Sequence, residues 1–267
     1  MNLFSFFVSI ILIPLVIIGL MYSLFRYWPR LVGYPPPPNL QLSRTTVWVL
    51  ILSWFVLFLL EALVARKFPA PSLAIHLSRS WFDNYMSNRG AISQMVSEWL
   101  IDIAYIYFAL RVSRLSLRDI GYRIFSWRRT VVWSIVASLN VLAYFFLILI
   151  GRQSFPISHS LNAAGLLYLL SNFLVTALLT AFIEETIFRG IFFTLLSTQY
   201  SVFVAWLIQA ALFSLAHSFI QSPIGAFGPG LLFGLGLLGS GNILPGIFAH
   251  TLYNTTGILN RVNIGAS

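Results

Sequence analysis

The chain contains no cysteine in its 267 residues. Disulfides, thiolate metal sites and a cysteine nucleophile are therefore excluded. Charge is scarce too. Asp, Glu, Lys and Arg make up 9% of the residues, against roughly 25% in soluble domains. Lys67 is the one lysine beside fifteen arginines, and there are seven acids in all. Two catalytic signatures are missing as well. No G-x-S-x-G stretch is present to set a serine on a nucleophile elbow. No H-E-x-x-H is present to set two zinc ligands on one helix face.

What fills the chain instead is apolar. Apolar residues make up 58% of it, above the roughly 45–50% of soluble domains. Uncharged runs of about 20 residues recur, which is the length a helix needs to cross a bilayer. The expectation is an all-α polytopic membrane protein, multi-pass in the cell membrane, with a bundle of about eight transmembrane helices. Its first partner is then the lipid bilayer. A net charge of +9 would ordinarily suggest nucleic acid. Here most bases fall between the apolar runs, as in loops held at an anionic membrane face, so no nucleic-acid partner is expected.

Taken in order, apolar runs cover residues 3–25, 45–64, 93–110 and 130–150. The first has no basic leader and no small-residue cleavage site, so it reads as a retained helix. Pro35 to Pro38 read as a stiff spacer. Glu98 and Asp102 lie four apart, hence on one helix face, either lining a proton path or facing the interior as a capped pair. His76 and His159 fall in polar loops and read as solvated. Residues 111–129 hold six arginines against Asp119 alone, the strongest cytoplasmic-loop signal in the chain. This divides the protein into an N-terminal part, 1–129, of helices and basic loops, and a membrane core, 130–267.

The core has different chemistry. Residues 163–196 form one apolar run that carries Glu184, Glu185 and Arg189. As a single helix it would be roughly 50 Å long, so it must tilt, protrude or break. Ionisable groups at such depth are rare and face a protein interior or a wet cavity. Glu185 and Arg189 are four apart and can pair, while Glu184 is turned about 100° away. Downstream come Phe213-x-x-x-His217, a glycine-rich span with Gly230 and Gly234 in a GxxxG face, and His250-x-x-x-Asn254 in the run 242–259. Each has a structural reading: an ion pair, an interhelical hydrogen bond, plain helix packing. Together, a carboxylate and an imidazole can take the proton from a water, and a second His with an amide can donate to an oxyanion.

Glu-Glu-x-x-x-Arg, Phe-x-x-x-His and His-x-x-x-Asn, in that order and each in an apolar segment, resemble the CAAX-protease and bacteriocin-processing family of intramembrane glutamate-dependent endopeptidases (the Abi family). The Ras-converting CAAX endopeptidase is its best-known type. The resemblance covers roughly residues 163–260, and the segment Leu115 to Arg123 resembles a loop found upstream of that core. It implies a helical bundle with a conical cavity and a catalytic core in the C-terminal half. By similarity Glu184 is the general base, working with His217 on a water. His250 and Asn254 stabilise the oxyanion, and Glu185 and Arg189 support Glu184 and shape its helix. The substrate is then a peptide or protein, and no cofactor is expected. Three alternatives stand beside this reading. One is a zinc protease using Glu184, His217 and His250. The others are a transporter, for which no internal repeat is evident, and a non-cleaving membrane scaffold.

Overall fold

The computed structural model describes residues 13–27, 40, 42–67, 99–150, 170, 173–217 and 226–259. Pro35 to Pro38, His76, His159 and Glu98 lie outside these residues. The described secondary structure is helical, without strands. The N-terminal helices are α1 (Ile13–Tyr27), α2 (Arg44–Lys67), α3 (99–113) and α4 (Trp127–Ile150). The long apolar run of the core breaks into four pieces: π1 (Phe173–Leu179), α5 (Thr180–Glu185), π2 (Thr186–Phe192) and α6 (Phe193–Ser197). Helices α7 (Val202–His217), α8 (Phe227–Ser240) and α9 (Leu244–Leu259) follow.

The helices expected from hydropathy are thus present as helices. Among the described residues, however, none is long and apolar enough to cross a membrane. Beyond α4 the helices are short. Helices α7, α8 and α9 have 16, 14 and 16 residues, short of the roughly 20 a span requires, and the run before them changes its winding three times.

Serine sets several starts. Ser43, Ser126 and Ser201 each accept a backbone N–H three residues on with the side-chain oxygen, at 3.1, 3.4 and 3.4 Å. That is the N-cap geometry that satisfies a helix's first orphan donors. Helix α8 stops at Gly241, which takes a left-handed φ of 76° and returns its N–H to Leu237 at 2.8 Å, the usual glycine C-terminal cap. Asn242 then caps α9 by accepting from the Leu244 N–H at 3.1 Å. Its side-chain amide donates to Thr130 at 2.8 Å, pinning the α8–α9 corner to α4.

Helix α8 is the centre. Gly228 to Ser240 are all buried, against α4, α7 and α9. The GxxxG face does what close packing needs. A Cβ on Gly230 would meet the Ala210 carbonyl at 3.2 Å, and one on Gly234 the Trp206 ring at 2.7 Å.

The outer helices hold the core helix through aromatics. Trp54 of α2 donates its indole N–H to Asp102 of α3 at 2.7 Å and packs edge-on against Phe188 at 5.2 Å between ring centres. Asp102 therefore takes the interior-facing role among the two read from the sequence. Phe188 and Phe192 are buried in this cluster. Truncating either to Ala removes a full buried ring, a loss on the order of 3–5 kcal/mol.

Candidate active site

Glu184 and Glu185 close α5, one residue before the helix widens into π2. Such π segments are uncommon and often mark functional sites. Adjacent positions on the helix send the two carboxylates into different surroundings. The Glu185 side chain is fully buried, while that of Glu184 is 21% exposed.

Glu185 is the hub of the buried side. Its Oε1 lies 2.9 Å from Arg189 Nη1 and 2.9 Å from His250 Nδ1. Arg189 is itself buried, and its Nη2 donates to the Gly230 carbonyl of α8 at 2.8 Å. Its guanidinium lies over two rings, 4.4 Å from Phe213 and 5.2 Å from Phe233, a geometry that attracts the cation to the ring faces. The same rings hold the imidazoles. Phe213 lies 4.3 Å from the His217 ring, and Phe233 stacks on His250 at 4.3 Å and 13°. The carboxylate also needs room. A Cβ on Gly246 of α9 would lie 2.7 Å from Glu185 Oε2, so glycine there is the condition for the acid to sit between α5 and α9.

Glu184 faces the wetter side. Its Oε2 stands 3.7 Å from His217 Nε2 and 3.7 Å from His250 Nε2. Hydrogen-bond direction fixes the tautomers. His217 Nδ1 sits 2.9 Å from the Phe213 carbonyl. A carbonyl only accepts, so Nδ1 carries the proton and the neutral ring turns a bare Nε2 to Glu184. His250 donates its Nδ1–H to Glu185, which leaves its Nε2 bare unless the ring is doubly protonated. One carboxylate oxygen and two imidazole nitrogens thus converge from α5, α7 and α9. Distances of 3.7 Å exceed a hydrogen bond. Asn254 lies four residues beyond His250 on α9.

Residues 166–256 match the family model described as type II CAAX prenyl endopeptidase, Rce1-like. Over this segment the chain is similar to that family. The family is one of membrane-embedded proteases, and the likeness supports a protease function in general. No curated protein and no solved structure matches the chain.

Within the matched segment the structure brings Glu184, His217 and His250 together, and it pairs Glu185 with Arg189 as their spacing predicts. One contact departs from expectation. Glu185 and Arg189 were expected to support Glu184, yet the bond from Glu185 runs to His250. No local spacing connects them, since 65 residues separate the two. Phe233 and Gly246 also escaped notice. Their only signal was the glycine-rich composition around them, which reads as packing. Among the described residues, no group of three or more His, Asp or Glu side chains is arranged to hold a metal ion.

Proposed function

We propose that this protein is an intramembrane glutamate-dependent endopeptidase that cleaves a membrane-associated or lipidated peptide or protein. The observation that carries the proposal is the convergence of His217 Nε2 and His250 Nε2 on Glu184 Oε2. A water at this point can donate one hydrogen to the Glu184 carboxylate and the other to the bare His217 Nε2. Its lone pair is then free to attack a scissile carbonyl. As the C–O bond forms, the proton passes to the Glu184–His217 pair, which returns it to the leaving amine when the C–N bond breaks.

His250 and Asn254 stabilise the oxyanion. Because His250 Nδ1 is already committed to Glu185, its Nε2 can donate only as part of an imidazolium. Through Nδ1 the Glu185 carboxylate holds the other side of that ring in place. Glu185 and Arg189 therefore tune the oxyanion side, in addition to bracing the helix that carries Glu184. Oxyanion donors of this kind are each worth about 10²- to 10³-fold in turnover.

The test is cleavage of a membrane-tethered peptide by the purified chain in lipid. Wild type should cut, and His217→Ala should not, with folding retained. Equal cutting by both would remove the water-activating role. Equal absence of cutting, with transport or partner binding present instead, would favour the transporter or scaffold reading. A zinc site on Glu184, His217 and His250 is the competing reading, although no group of three such side chains among the described residues is arranged to hold a metal ion. Full activity after exhaustive chelation, with no metal by elemental analysis, is the expected result and separates the two.

A further inference from the structure

The loop between α3 and α4, residues 114–126, lies outside the matched segment, and nothing in the proposed chemistry uses it. Yet it is tied to the helix that carries the two glutamates at several points. The Tyr122 hydroxyl is 2.6 Å from Thr186 Oγ1. Thr186 donates its own hydrogen to the Phe182 carbonyl at 2.7 Å, so Tyr122 is the donor to Thr186. One turn on, Gly190 lies so close to the loop that a Cβ would meet the Ile120 carbonyl at 3.2 Å. Farther along, Thr194 donates to the Asp119 carbonyl at 3.4 Å. The loop also holds the start of α9. The Ile243 N–H donates to the Gly121 carbonyl at 3.2 Å. Gly121 has φ of 95°, and a Cβ there would lie 2.7 Å from Ile243. Only glycine takes that backbone and that approach readily.

The loop is thus a strap across two elements that must keep register: α5–π2, which bears Glu184, and α9, which bears His250. Its best-placed contact is Thr186, the residue after Glu185 and the first of π2. By occupying the Phe182 carbonyl, the Thr186 hydroxyl sits where helix winding changes from α to π. The Tyr122 hydroxyl is available for this at all ordinary pH values, because burial and the nearby Glu185 push it up to about 12 against the opposing Thr186 bond.

We infer that Tyr122 is a positioning residue: through Thr186 it fixes the α-to-π junction and hence the placement of Glu184 and Glu185 against His217 and His250. This rests on the protease reading for its effect on turnover but not for its effect on geometry. The test uses the full chain in lipid or detergent, with isotope-labelled histidine. Tyr122→Phe should lower kcat about tenfold with KM within about twofold, the size expected when reacting groups are slightly misplaced. It should also move the ring resonances of His217 and His250. Thr186→Val should do the same, Thr186→Ser should restore wild-type behaviour, and Tyr122→Phe with Thr186→Val should be no worse than either alone.

A folded Tyr122→Phe protein with wild-type kcat and unmoved histidine resonances would overturn the inference, whatever its melting temperature. So would a Thr186→Ser variant as impaired as Thr186→Val, a comparison that decides even if Tyr122→Phe does not fold. Should the wild type cleave nothing, movement of the resonances still upholds the strap, and only the protease reading falls.

Discussion

Two carboxylates joined by one peptide bond occupy opposite regions of this site. Glu185 is sealed among Arg189, His250, Phe213 and Phe233, with its side chain fully buried. Glu184 stands at a mouth shared with His217, the two side chains 21% and 25% exposed. The sealed side has its charges paired and its shape set by aromatic rings. At the mouth each imidazole stands 3.7 Å from the Glu184 carboxylate, beyond hydrogen-bond length. The difference teaches that one helix can supply both a reactive acid and its scaffold, because a rotation of about 100° per residue carries neighbours to separate environments.

Four substitutions or treatments probe that division, in descending order of effect. Glu184→Gln keeps shape and removes basicity, so cleavage should fall by on the order of 10³-fold while the melting temperature stays near wild type. Comparable cleavage in single-turnover assays would end the contrast. Glu185→Gln should show the reverse emphasis. It leaves Arg189 buried without its counter-charge, a loss of about 3–5 kcal/mol that thermal unfolding should register. If Glu185→Gln unfolds like wild type, the sealed region is not a scaffold. Gly246→Ala adds one methyl against the Glu185 carboxylate, which two ion-pair contacts hold in place. Overpacking of this sort should cost about 1–3 kcal/mol, and reverting part of it with the smaller acid in Glu185→Asp/Gly246→Ala would sharpen the assignment. Chelation should have the smallest effect, none, on either turnover or stability. A loss restored by zinc would move His217 and His250 into the ligand class.

Much of this was legible beforehand, and the limits follow from range. Helix positions follow from apolar runs, which are local. The Glu185–Arg189 pair follows from four-residue spacing, also local. The three motif segments carry their own order and residue types. What could not be read is which side chain meets which across helices. The Glu185–His250 bond, the Phe233 stack on His250 and the Gly246 notch each join elements distant in sequence, through orientations that periodicity does not encode. The break-up of the run 163–196 was foreseen only as a necessity of length. Its α–π–α form depends on Thr186 and Tyr122, a contact spanning 64 residues. The membrane-crossing reading came from summed hydropathy over uncharged runs of about 20 residues.

The burial of Arg189 and Glu185, at 1% and 0% exposed, has a consequence for solution conditions. Dissolved ions weaken charge interactions over about 8–10 Å in ordinary buffers, but only where they can approach. The aromatic wall keeps them from this pair. The arginines of the 111–129 segment are mostly exposed and lie within their reach. Raising ionic strength should therefore leave the bond-breaking step flat while weakening whatever the protein gathers at its surface by charge. A salt titration of kcat against KM reads the interior and the exterior of the molecule separately.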